Sequence, residues 1–387
     1  MVKIENIKIS KIETKIVQGK FGNGKYYGYG KNKLISLVKF KTNNSLYGYG
    51  ESLVGIYSPK LFEINVNYLS SFFINKTLNE AINEINTIQN NKFFFYQGLL
   101  KSIISAFEIA LLSIKSKAYS CSLGETINQT YFNGIFTKNT DVEVYASAGS
   151  IKSNLKELKE DVNKSIKMGI NRIKIRLDTS SNYKKKIEFL EKKIDFFAVD
   201  LIANTFIKNR DQINLIKFLR FIKKKKILWI EEALNVDDLN YFSHLDEFKK
   251  IPFSYGENFT SFIDFSNLFK IKNIDYINLD ITHCTISDLK KLIDHMRINK
   301  IKKKIIFHCW GSLINVNTSL EVASILSKYV HMVELPITDF SLNNFYIDSL
   351  EIKDSKLKMK NRLNEIEKFY DKIKIKNKLE NNKFSFD

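Results

Sequence analysis

The chain has 387 residues, 44% hydrophobic and 13% aromatic, which excludes global disorder and a disulfide-stapled mini-protein and suits one large domain or two modest ones. Lys+Arg (61) outnumber Asp+Glu (42) for a formal net charge of +19, but only six of the basic residues are arginine, so the excess reads as a general lysine drift and no nucleic-acid partner is expected. Cys121, Cys284 and Cys309 are too few and too scattered for a disulfide framework or a CxxC zinc site, and neither an apolar leader nor an 18-residue apolar run occurs, so a cytoplasmic protein without a membrane partner is expected.

Residues 4–17 alternate apolar and polar side chains, as a half-buried strand does. Lys33–Lys41 reads as a second strand, Asn43-Asn44 as a turn and Leu46–Glu51 as a third strand. A glycine-rich loop, Lys20–Lys31, separates the first two. Residues 60–118 read as helices, with Ile103, Ala106, Phe107, Ala110, Leu111 and Ile114 at helical spacing. Residues 1–130 therefore read as an α+β cap. After Val142 eight short apolar runs alternate with amphipathic helices: Val144–Ala148, Arg172–Leu177, Phe196–Asp200, Ile227–Glu231, Pro252–Glu257, Tyr276–Asp280, Lys304–His308 and Met332–Leu335. Eight βα units predict a closed (β/α)8 barrel over residues 140–340. Leu350, Ile352 and Leu357 suggest a hairpin returning to the first unit, so that residues 345–387 complete the cap.

The informative residues stand at the strand ends. Strand two carries Lys174 and Arg176 on its inward face; the next six end at or near Asp200, Glu231, Glu257, Asp280, His308 and Glu334, spaced 24, 31, 26, 23, 28 and 26 residues from Arg176 onward. Each spacing is one βα unit, which brings the groups to the mouth where barrel enzymes place their active sites. One acid after a strand is ordinarily a helix cap. Three successive carboxylates, Asp200, Glu231 and Glu257, repel one another and call for a hard divalent cation, for which all-oxygen ligation suits Mg2+. Lys174 and Arg176 would balance a small carboxylate substrate.

Together these motifs resemble the enolase superfamily, in its mandelate racemase-like, acid-sugar dehydratase branch. GYGE (48–51), AFEIALLSIKSKA (106–118), Lys174-Ile-Arg176, WIEEAL (229–234), YGENF (255–259), FHCWGS (307–312) and MVELP (332–336) follow its order along nearly the whole chain. The resemblance implies a modified TIM-like barrel, Mg2+ on Asp200, Glu231 and Glu257, and a His308–Asp280 dyad that abstracts the proton α to a carboxylate. It also implies that Glu334, protonated or hydrogen-bonded, supports the developing oxyanion, and that the protein is a dimer or octamer.

Arg176 replaces the second lysine of the superfamily's KxK pair. A guanidinium is a poor base, which favours dehydration by His308 alone over two-base racemisation. If the pair were instead Arg172–Lys174, Lys174 would be the base and racemisation would return. Asp200 lacks the usual Asp-x-Asn, leaving Asn204 as the candidate to reach substrate. Phe21, Tyr26 and Tyr57 from the cap and Trp310 beside the dyad are further candidate substrate contacts. His283 reads as a structural or rim residue. The alternatives are a racemase or epimerase, a hydroxyproline-type dehydratase, and a non-enzymatic binding protein on a degenerate barrel.

Overall fold

A three-stranded antiparallel sheet begins the chain, in the order β1 (Ile9–Lys20), β2 (Asn32–Thr42), β3 (Tyr47–Ser52). This computed structural model describes residues 4–20, 32–90, 98–149, 153–177, 183–201, 212–235, 238, 245–337 and 346–373. The first strand starts later than its alternating pattern predicts, because Ile4–Asn6 form a 3-10 turn.

Five helices follow: α1 (Val54–Tyr57), α2 (Pro59–Ser70), α3 (Leu78–Asn90), α4 (Leu99–Tyr119) and α5 (Leu123–Phe132). The apolar run of α4 explains its central place. Ile103, Phe107, Leu111 and Ile114 fill the cap's core, while Ile109 and Leu112 belong to the barrel's. The glycines of GYGE let β3 lie directly on α4: a Cβ at Gly48 or Gly50 would fall 1.9 or 1.8 Å from the carbonyl oxygens of Ala110 and Ala106. Ser102 and Ser105 of α4 donate to the carbonyls of Thr282 and Ile281, which ties the cap to the turn beyond Asp280.

Eight parallel strands form the barrel: β4 (Asp141–Ala148), β5 (Arg172–Arg176), β6 (Phe196–Asp200), β7 (Ile227–Glu231), β8 (Phe253–Tyr255), β9 (Ile274–Asp280), β10 (Lys304–His308) and β11 (Val330–Pro336). Neighbours in sequence pair in space, and β11 pairs back onto β4 to close the barrel. Helices α6 (Leu155–Lys167), α7 (Tyr183–Glu191), α8 (Gln212–Ile222), α9 (Phe262–Leu268), α10 (Ile286–Ile298) and α11 (Leu313–Ile325) alternate with the strands. In α6, Asn154 and Glu157 form a capping box and Leu158 and Val162 are buried, although Ile166 of the same stripe stays 42% exposed in the last turn. No helix among the described residues is long and apolar enough to cross a membrane.

The C-terminal hairpin corrects an expectation. β12 (Ile352–Lys353) and β13 (Lys356–Lys358) do not join the first sheet. β13 pairs antiparallel with the outer end of β4, through Lys356 opposite Glu143 and Leu357 opposite Val142, and so buries Leu357 completely. β4 is long enough to pair with β13 at one end and β11 at the other. Helix α12 (Leu363–Lys372) does reach the cap, where Tyr370 packs on Tyr49 with ring centroids 4.8 Å apart.

Alternation along the strands divides the barrel side chains. Ile173 and Ile175 of β5 enter the core between sheet and helices, while Lys174 faces the interior. Tyr145, Ala198, Trp229, Ile306 and Met332 form a small apolar plug inside the barrel.

Candidate active site

Parallel register brings the strand ends to one level: Arg176 lies opposite Asp200, Asp200 opposite Glu231, and His308 opposite Asp280. Glu257 sits in the turn two residues beyond β8. One carboxylate oxygen from each of Asp200, Glu231 and Glu257 lies within 4.8 Å of the others, and all three residues are buried. Burial, compounded by the charges of Asp200 and Glu231, pushes the Glu257 carboxyl well above the usual range. Glu257 Oε2 is a buried oxygen without a hydrogen-bond partner. A cluster of three oxygen donors, mutually repelling and incompletely satisfied, fits a hard divalent cation such as Mg2+.

Glu232 braces this cluster. Its backbone adopts a left-handed φ of 48°, and its carboxylate accepts from the backbone N–H groups of Gly256 (2.7 Å) and Glu257 (3.3 Å). Burial raises its carboxyl to about 8.

The inward cations of β5 face these acids. Lys174 donates to Glu231 Oε1 and lies 3.2 Å from Glu334 and 3.9 Å from Asp200. Burial opposes its charge, but the surrounding carboxylates outweigh burial and hold the ammonium protonated. Arg176 Nε donates to Asp200 Oδ2 at 2.9 Å. Arg172 lies at the opposite end of β5, paired with Glu143 and part exposed. The basic pair facing the mouth is therefore Lys174 and Arg176.

Asp280 and His308 form a closed unit. Asp280 Oδ2 lies 2.7 Å from His308 Nδ1, and Oδ1 accepts from Thr282 N (2.8 Å), Thr282 Oγ1 (2.7 Å) and Asn315 Nδ2 (2.9 Å). Burial works against the Asp280 charge, yet the His308 contact and the other donors bring its carboxyl down to about 2. The remaining ring nitrogen, His308 Nε2, faces Glu257 at 3.7 Å and Glu334 at 4.0 Å. Glu334 accepts from Cys309 N (3.1 Å) and Tyr145 OH (3.4 Å). Against the cost of burial, Lys174 draws its carboxyl down to about 2, which favours the hydrogen-bonded, ionised form.

The other expected contacts fare differently. Trp310 packs partly buried against the barrel core. Phe21, Tyr26 and Asn204 lie outside the described residues; Tyr57 ends α1, with its side chain outside them. Half-buried His283 carries its ring close enough to feel the charges of Asp280 and His308.

Asn315 and Glu51 are among the residues of this constellation that the sequence alone does not single out. Asn315, on the first turn of α11, has no spacing signal of its own. Glu51, the last residue of GYGE, was read only as part of a motif. It accepts from Ser312 N (2.9 Å), Ser312 Oγ (2.7 Å) and Asn315 N (3.3 Å), so the cap grips the N-terminus of the helix that follows His308. An acid near the end of a strand that accepts from a helix-capping serine 261 residues away cannot be found by local pattern.

Known proteins give this geometry a family. The family described as enolase C-terminal domain-like matches residues 157–363. The chain belongs to that family and to the enolase superfamily, whose members are enzymes. A D-galactonate dehydratase family member from Enterococcus gallinarum (strain EG2) is 23% identical over 266 residues, covering 63% of this chain and 65% of the relative's length. L-talarate/galactarate dehydratase from Salmonella typhimurium LT2 shares the fold with a TM-score of 0.75 at 18% identity, over 92% of this chain and 88% of that one. The 3,6-anhydro-D-galactonate cycloisomerase from Zobellia galactanivorans does so with a TM-score of 0.75 at 20% identity, over 95% and 99%.

Proposed function

We propose that this protein is a Mg2+-dependent hydro-lyase that removes water from an acid sugar. The observation that carries the reading is the His308–Asp280 dyad, whose free ring nitrogen faces Glu257 beside the acid cluster. The dehydratase relatives add support. Asp200, Glu231 and Glu257 would hold the ion. A bound divalent cation supplies a Lewis acid that draws charge from the substrate carboxylate and so acidifies its α proton.

His308 Nε2 takes the α proton, and Asp280 steadies the imidazolium that forms. The C–H electron pair becomes the C2–C3 double bond, and the His308 imidazolium returns its proton to the departing 3-hydroxyl, which leaves as water. The enol product then tautomerises to the 2-oxo-3-deoxy acid. Lys174 and Arg176 offset negative charge on the substrate. Neither is a free base: Lys174 is held protonated among carboxylates and Arg176 carries a guanidinium. One base on one face favours elimination over racemisation.

In this reading residues 1–130, joined by α12, cap the barrel of residues 140–340, which the C-terminal hairpin extends at its outer end. The protein is cytoplasmic and a homo-oligomer, dimer or octamer, a point that sedimentation tests directly. A panel of acid sugars incubated with Mg2+ in D2O tests the chemistry. One of them should yield a 2-oxo-3-deoxy acid, with no deuterium at the α carbon of recovered substrate. Deuterium exchange there without loss of water would instead establish a racemase.

A further inference from the structure

Two buried acids of the cap reach helix starts in the barrel. Glu108 of α4 accepts from Ile286 N (2.6 Å) and Ser287 N (3.3 Å) at the start of α10. Glu51 of β3 accepts from Ser312 and Asn315 at the start of α11, and beyond Glu51 the hydrogen bonds continue to the dyad. Its Oε2 takes Ser312 N (2.9 Å), Ser312 Oγ (2.7 Å) and Asn315 N (3.3 Å). Asn315 in turn donates from Nδ2 to Asp280 Oδ1 at 2.9 Å, and Ser312 follows His308 by four residues. One carboxylate of the cap thus holds a residue that touches Asp280 and the short connection that leaves His308. Gly311 of that connection makes room for it: a Cβ there would fall 2.5 Å from Glu51 Oε1 and 2.6 Å from the Cβ of Asn315. Burial raises the Glu51 carboxyl, against the Ser312 donors and the charge of Lys33, itself enclosed with its ammonium 3.8 Å from the ring centroid of Trp310. Glu51 therefore contributes acceptors in fixed places more than it contributes charge.

We propose that Glu51 is a positioning residue for the reaction: from the cap it fixes Ser312 and Asn315, and through them the mutual placement of His308 and Asp280. The inference rests on the dehydratase reading, in which that pair takes the α proton. A base works only within hydrogen-bond reach of its proton, and a displacement of about 1 Å in a reacting group can cost about 100-fold in rate. Docking of the cap and completion of the dyad are then one event, because the barrel strands supply both members and the cap sets how they stand to each other. The competing role for Glu51 is a helix cap that only secures the two units, as Glu108 does.

The test measures kcat and KM of the full-length, Mg2+-loaded protein on the acid sugar that wild type dehydrates in the panel above, galactonate and galactarate included. Glu51→Ala should lower kcat by about 10–100-fold with KM unchanged, the mark of a contact felt in the transition state and not in binding. Glu51→Gln, which keeps an acceptor for Ser312 and Asn315, should restore most of kcat. In a cycle with Asn315→Ala the losses should not multiply: the double variant should be no slower than Glu51→Ala, because one residue acts through the other. Glu108→Ala should lower Tm and leave kcat near wild type. If Glu51→Ala does not fold, Gly311→Ala, which pushes the carboxylate from α11 without removing a polar group, takes its place in the cycle with the same expectation. Wild-type kcat in Glu51→Ala, losses that multiply, or an equal loss of kcat in Glu108→Ala overturn the inference and leave the dehydratase reading intact. A panel in which wild type dehydrates no acid sugar overturns that reading, and the inference with it.

Discussion

Two groups of acids meet at the barrel mouth in opposite states. Asp280 is saturated: three donors and His308 surround its carboxylate, and its carboxyl is held down to about 2. Glu257 is frustrated: Asp200 and Glu231 crowd it, one of its oxygens has no hydrogen-bond partner, and its carboxyl is pushed well up. Both are deeply buried, so solvent does not explain the contrast. What differs is whether the protein itself supplies the compensating positive charge and donors. The dyad is assembled by the fold alone, whereas Glu257 Oε2 in the carboxylate cluster is left without a hydrogen bond, a place that a cation can fill.

The largest expected effect is on chemistry. His308→Asn should lower kcat by about 10²–10⁴-fold, the range for loss of a general base, with little change in unfolding temperature. Undiminished turnover would remove the dyad from the mechanism. The second effect is on metal. Adding Mg2+ should raise the wild-type Tm, and Glu257→Gln should remove most of that rise. Without metal, the same variant should be more stable than wild type by about 1–3 kcal/mol, because it removes a buried acid crowded by Asp200 and Glu231. Asp280→Asn should do the reverse and destabilise with or without metal. If both substitutions shift stability in the same direction, the contrast between the two regions fails.

Acidity sharpens the comparison further. Asp280 has a folded value below its unfolded one of about 3.9, so it contributes about 2–3 kcal/mol that is present above pH 4 and lost as the pH falls toward 2. Glu257 is raised above its unfolded value, so the metal-free protein gains stability from it as the pH falls, and Mg2+ must displace that proton. The Mg2+-induced rise in Tm should therefore grow from pH 5 to pH 8; a constant rise would argue that the cluster is already ionised. The smallest effect belongs to Asn315→Ala. It removes one of three donors to Asp280 Oδ1 and should cost about 1 kcal/mol of stability, with a kcat loss well short of that of His308→Asn. Equal losses would make Asn315 part of the chemistry rather than a support for Asp280.

Much of this molecule was written in periodicity. Eight apolar runs one βα unit apart determine a parallel barrel, because each short run must be buried and each amphipathic helix must cover it. The same spacing determines that Asp200, Glu231, Glu257, Asp280, His308 and Glu334 gather at one end, since successive parallel strands end at the same rim. Tertiary structure decided the rest. Whether Lys174 pairs with Arg172 or Arg176 at the mouth depended on which end of β5 faces the cap. The partner of the C-terminal hairpin depended on the unpaired outer end of β4. Glu51, Asn315 and Lys33 acquired their places only when the cap sheet docked beside α11, and in a chain of 61 basic residues no local signal separates one enclosed lysine from its solvated neighbours. Periodicity reports what a segment must bury, but contacts between residues hundreds of positions apart exist only once the layers have closed on each other.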